Sequence, residues 1–263
     1  MSKTEESSPS ERQKTSSARR LEALCKNLKV SAGPNLFTVL PLVLNLDEEP
    51  DLHRRGLAAF SLIEAMLEDL ERELSNCRLS TDESTFYLRL LPELTKTFSP
   101  LSCTQPWDTT RSQITDGMVR QLHSLHLLFA RHFDERELEQ DEFGELLESV
   151  SAALNSLQDM QMPHRLRDFI ASQLLRIKHA IEQYQFRGVV GIEEALAAYS
   201  GGLWRGKDEI SKAVNADPSP QSRWEPLFKV LVAGDTLMDL ATKTQKLWPQ
   251  ITQTAHTVLT LLP

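Results

Sequence analysis

From Ala18 onward, apolar residues recur at steps of three and four, the spacing that gathers them on one face of an α-helix. Leu21, Leu24, Cys25 and Leu28 form the first such stripe, and Gly33 with Pro34 ends it. Residues 36–46 are so apolar that they should be buried on most sides, with Pro41 bending or dividing the helix. Residues 53–74 carry Leu57, Phe60, Ile63, Leu67, Leu70 and Leu74, which predict one long amphipathic helix. Ser80 with Glu83 makes a capping box and introduces a helix to about Thr97. Residues 99–108 contain Pro100 and Pro106 and read as a loop or crossover, after which Thr110 with Gln113 opens a helix to about His132.

The second half follows the same grammar. Residues 134–148 hold eight carboxylates against one arginine, yet Phe143, Leu146, Leu147, Val150, Leu154 and Leu157 still make a helical stripe. One side of that helix should face a core and the other water. Pro163 suits the first turn of the next helix, because its missing N–H would find no partner there anyway. That helix runs through Leu166, Phe169, Ile170, Leu174, Ile177 and Ile181 to Tyr184 and about Phe186, with Gly188 as its C-cap. Residues 191–199 read as a shorter helix stopped by Gly201 and Gly202. Residues 215–222, NADPSPQS, are the clearest linker, and Ser222 with Glu225 caps a final module over 223–263.

Composition reinforces the helical reading. Leucine occurs 42 times against 19 for valine and isoleucine together, whereas strands favour β-branched residues. The predicted fold is all-α, a multi-helix bundle of about nine to eleven helices. The expected division is a disordered tail over 1–17, a bundle over 18–214 and a C-terminal helical appendage over 223–263. Residues 1–17 have no aliphatic side chain after Met1, which leaves little to offset the entropy of ordering. No apolar signal segment or membrane-length apolar run occurs, so a cytoplasmic location is expected. The formal net charge of −8 argues against a nucleic-acid partner.

Candidate chemistry is sparse. Gly201 to Lys207 (GGLWRGK) satisfies the first seven positions of a phosphate-binding loop, but Asp208 stands where Ser or Thr should hold magnesium, and the segment follows a helix rather than a strand. His123 and His126 share a helix face without the further ligands zinc requires, so partly buried structural histidines are expected. Cys25, Cys77 and Cys103 form no CxxC pair, and Cys103, in the proline-flanked loop, is the one expected to be exposed. No cofactor, metal ligand or catalytic residue is assigned, and the balance leans away from an enzyme. The acidic residues 134–148 could present a surface to a basic partner or a solvated face.

The C-terminal module is more informative. Leu247, Ile251, Ala255, Val258, Leu259 and Leu262 lie on one helical face, and no charged side chain follows Lys246. Three fates fit this pattern: docking on the bundle, binding a partner or a second copy, and membrane-surface contact. The last is disfavoured because the polar face carries no Lys or Arg. The candidate partner-binding residues are Trp224, Leu247, Trp248, Ile251, Val258, Leu259 and Leu262.

Three stretches also carry a likeness: residues 86–94 (FYLRLLPEL), Ser99-Pro100-Leu101 with Gln105-Pro106-Trp107, and residues 177–188 (IKHAIEQYQFRG) followed by Gly191-Ile192-Glu193-Glu194-Ala195-Leu196. In this order they resemble an uncharacterised family of bacterial intracellular all-helical proteins, over about residues 50–200. The resemblance implies a bacterial source and carries no catalytic residue across. The expected function is a non-enzymatic helical interaction or scaffold protein of the bacterial cytoplasm. The alternative is a component or regulator of a phage-defence or toxin system acting at or near the membrane.

Overall fold

Side-chain caps decide where the first helices begin. In the computed structural model, which describes residues 15–46, 51–77, 79–132, 137–160, 162–216 and 220–241, the described residues form twelve α-helices, two short 3-10 turns and no strand beyond an isolated bridge between Asn35 and Pro106. Ser16 caps α1 (Ser17–Val30) by accepting the Arg19 N–H, and Asn35 caps α2 (Leu36–Val43) through the Thr38 N–H. Asp51 accepts two backbone N–H groups at the start of α3 (Leu52–Asn76), where its charge also suits the helix dipole. The Ser80–Glu83 capping box is formed and opens α4 (Thr81–Leu88). Arg89 then separates α4 from α5 (Leu90–Thr97), so the single helix expected there is two.

A 3-10 turn, Pro100–Thr104, leads into α6 (Trp107–Gln113) and α7 (Asp116–His132). Thr110 is therefore fully buried inside α6 rather than capping α7, and Thr115 accepts the Met118 N–H in its place. These helices, with residues 185–188, form one of two compact units. Its core is built from Leu21, Leu28, Leu36, Leu40, Ile63, Met66, Leu70, Leu122, Leu125 and Phe129, among others. Of the stripe expected on α3, Ile63, Leu70 and Leu74 are buried and Phe60 and Leu67 are partly buried against the core, while Leu57 is exposed; Gly56, Ala59, Leu62 and Met66 complete the buried face. Gly56 lies on that face for a steric reason. A Cβ there would lie 2.2 Å from the Phe37 ring, so only glycine lets that ring lie on α3.

The second unit holds a 3-10 turn (Gln140–Phe143), α8 (Gly144–Asp159), α9 (His164–Glu182), α10 (Tyr184–Arg205, less 185–188), α11 (Lys207–Ala216) and α12 (Pro220–Ala241). Gly201 and Gly202 do not stop α10. Gly202 faces the Phe169 ring, which would sit 2.7 Å from an added Cβ, and Gly206 lies beside Leu166, so side chains of α9 reach α10 where it carries none. The helix ends only at Gly206.

The division into units departs from the expected bundle plus appendage. Trp224, Leu227, Phe228, Leu231, Leu237 and Met238 of α12 are buried in the same core as Leu146, Val150, Ile170, Leu196 and Tyr199. The Tyr199 hydroxyl donates to the Leu227 carbonyl at 2.8 Å, and Leu196 fills the space that a side chain at Gly234 would need. Residues 224–241 thus supply core to the second unit. The tail boundary also moves, because Thr15, Ser16 and Ser17 are buried at the head of α1.

Two buried tryptophans differ in one hydrogen bond. Trp107 donates its indole N–H to the Ser31 carbonyl at 2.9 Å, whereas the Trp224 indole N–H, in a side chain 1 % exposed, has no acceptor among the described residues. Trp107→Phe should lower stability by about 1–2 kcal/mol, the worth of a hydrogen bond plus some packing. Trp224→Phe removes an unsatisfied donor and should stay within about 1 kcal/mol of wild type. Alanine at either position should cost roughly 3–5 kcal/mol. Urea unfolding of the variants tests the contrast.

Candidate functional site

The polar residues of the first unit converge on a seam between α1, α3 and α7. Ser16 Oγ lies 3.0 Å from His126 Nδ1, with the two residues 2 % and 6 % exposed. Six residues further on, Glu22 of α1 receives the Lys26 ammonium at 2.5 Å and pairs with His123 Nδ1 at 3.2 Å. Lys29 pairs with Asp116 at the far end. These three rungs run in opposite order along the two helices and fix α1 and α7 as an antiparallel pair.

The α1–α3 side is tied by Glu73. It accepts the Ser17 N–H at 3.1 Å and the Ser17 hydroxyl at 2.7 Å, and Arg20 lies 3.9 Å away. Below it, Asp69 is 2 % exposed and faces Arg72 at 2.8 Å and Arg187 at 3.2 Å, with the Arg20 charge nearby.

Burial and charge act differently on each titrating group. Burial pushes the Asp69 carboxyl above the usual carboxylate range, and the three arginines only partly oppose it. Burial also raises Glu22, but hydrogen bonds from Lys26 and His123, together with their charges, outweigh it and leave Glu22 below its ordinary value. His126 is held below the ordinary histidine range, first by burial and then by the Arg19 charge.

A serine beside an imidazole is the arrangement of an activated nucleophile. Here the pair is enclosed, and the Ser16 oxygen also caps α1. The geometry suits helix pairing, not attack on a substrate.

The residues singled out by sequence scatter. Gly201 to Arg205 lie within α10 and Gly206 is the turn into α11, so the first five residues of GGLWRGK are helical rather than an open loop, and the Lys207 ammonium sits 4.7 Å over the Trp204 ring. Each of His123 and His126 has its Nδ1 engaged by a protein partner. No group of three or more His, Cys, Asp or Glu side chains suited to a metal ion occurs among the described residues. Cys25 is buried, its thiol pushed up to about 12 by desolvation, and so behaves as a small apolar residue. The Cys103 side chain lies outside the described residues. In the acidic stretch, Glu137, Glu139, Asp141, Glu145 and Glu148 are exposed. Among the candidate partner-binding residues, Trp224 is buried, while Leu247, Trp248, Ile251, Val258, Leu259 and Leu262 lie outside the described residues.

Sequence reasoning passed over Ser16, Ser17, Arg20, Glu22, Asp69, Glu73 and Arg187. A signal for one of them was present: Asp69 follows Leu62, Ile63 and Met66 and precedes Leu70, a charge in the register of the buried face. His126 has the same signature beside Leu122, Leu125 and Phe129. No described helix is long and apolar enough to cross a membrane. Comparison with family models, with curated proteins and with solved structures found no match.

The seam makes a pH prediction with a definite sign. His126 is neutral in the fold, and its folded pKa lies below the unfolded value of about 6.5. Its contribution is therefore present above pH about 6.5 and is lost as pH falls through the lower folded value, because the unfolded chain takes up the proton first. Urea midpoints should drop on acidification across this window. His126→Gln should lower stability at neutral pH and flatten the drop; an unchanged slope would remove His126 as its source.

Proposed function

We propose that this protein is a non-enzymatic helical interaction protein of the bacterial cytoplasm that binds a second copy of itself or another protein through the residues after α12. The observation that carries the reading joins sequence and fold. The apolar side of α12 is taken up in the second core as far as Ala241. The stripe of Leu247, Ile251, Val258, Leu259 and Leu262 follows on a stretch without charge after Lys246. Such a face lowers its free energy by finding apolar surface to cover it. Recognition of this kind is hydrophobic in character and, unlike binding through exposed ion pairs, is not weakened by added salt.

The test compares the full chain with one stopped after Ala241. A stop at Ser222 is unsuitable because it deletes Trp224, Leu227 and Phe228 from a core. Affinity purification with mass spectrometry, and light scattering for self-association, should show a partner or an oligomer with the full chain that the shorter chain loses. Urea midpoints of the two should agree. Equal association by both chains would rule the reading out.

A further inference from the structure

Residues Gln185–Gly188 belong to the first unit, although Tyr184 and Val189 on either side belong to the second. Within the second unit, the Tyr184 ring lies 4.8 Å from Phe143, its hydroxyl accepts the Leu138 N–H at 2.7 Å, and Val189 is buried. Within the first, Phe186 packs against the apolar core. Arg187 donates to both Asp69 oxygens, from Nη2 at 3.2 and 3.4 Å and from Nε at 3.4 Å.

The turn between these anchorages is made at Gly188, with φ 58° and ψ −154°, a conformation that essentially only glycine takes up. It interrupts a helix that otherwise runs from Tyr184 to Arg205. Helical residues on both sides define an alternative in which Gly188 takes helical angles and the helix is unbroken. Releasing Arg187 does not strand the buried carboxylate. Arg72 remains 2.8 Å from Asp69, with the Arg20 charge nearby. An uncompensated buried charge, the usual reason such a pair cannot open, is thereby avoided.

We propose that residues 185–188 are a two-state strap: docked, with Gly188 at positive φ and Arg187 on Asp69, or undocked, with α10 continuous from Tyr184 to Arg205. Helix continuity and the Asp69–Arg187 pair compete, so any ligand that favours one state shifts the other.

Gly188→Ala tests the strap without touching either charge. In the full chain, Arg187 should react with phenylglyoxal, read by mass spectrometry, at least about tenfold faster than in wild type, the factor expected from placing an L-residue at positive φ. The exposed Arg165 and Arg205 should keep their rates. An unchanged rate at Arg187 would overturn the proposal. So would an equal rise at the buried Arg20, which would mean that the whole unit had opened. Asp69→Asn approaches from the other side and serves if the first variant does not fold. With carbon-labelled glycine, the Gly188 α-carbon resonance should move toward the helical range. A resonance left in place would show that the ion pair and the backbone are unlinked, and the proposal would fall.

Discussion

A carboxylate taken out of water has to be met by positive charge, and Asp69 imposes that condition on the first unit. It stands on the apolar face of α3, between Met66 and Leu70, where a neutral side chain would pack without partners. Meeting it takes Arg72 from the same helix, Arg20 from α1 and Arg187 from 118 residues away. Each arginine constrains its own element: α1 must present Arg20 on the side that also carries Ser17, and Ser17 in turn is bound by Glu73. Replacing such a group of charges with apolar residues often leaves a protein as stable or more so, while leaving the buried charge with no partner is costly. The seam is therefore better understood as fixing which helices meet, and in what register, than as a source of stability.

The second unit obtains its register by a different means. It relies on missing side chains: Gly202 makes room for the Phe169 ring of α9, and Gly234 for Leu196. Shape does there what charge does in the first unit. An apolar contact of this kind gains by leaving water, and the second core buries Trp224, Phe228 and Tyr199 even though the Trp224 N–H finds no acceptor among the described residues.

Much of the fold was legible because its signals are local. The all-α class followed from leucine spacing, and the Ser80–Glu83 box and the Pro163 start stand where the sequence puts them, whereas α9 ends at Glu182 with Gln183 as its cap, and Gly188, expected as that cap, lies inside α10. The misreadings concern residues whose role depends on distant neighbours. Gly201 and Gly202 resemble helix stops until Phe169 lies against them, and Thr110 resembles a cap until the Trp107 helix encloses it. Most of the α3 stripe was legible, but leucine spacing alone does not reveal that Gly56 joins the buried face because Phe37 lies over it. The candidate site was less legible still. His123 and His126 could be picked out as a pair on one face, but their partners, Glu22 and Ser16, lie 101 and 110 residues away. No pattern within a helix turn or two encodes such a meeting.

Those separations have a consequence for synthesis on the ribosome. The first unit begins at Thr15, yet Arg187 is among its last contributors, so the nascent chain must extend through Gly188 before that unit is complete. By then α8 and α9, which belong to the other unit, have already been made. Long-range closure of this sort slows folding relative to contacts between neighbouring helices. Until Arg187 arrives, Asp69 is met by Arg72 and Arg20 alone, so the first unit can gather around its buried charge and gain the third arginine only late in translation.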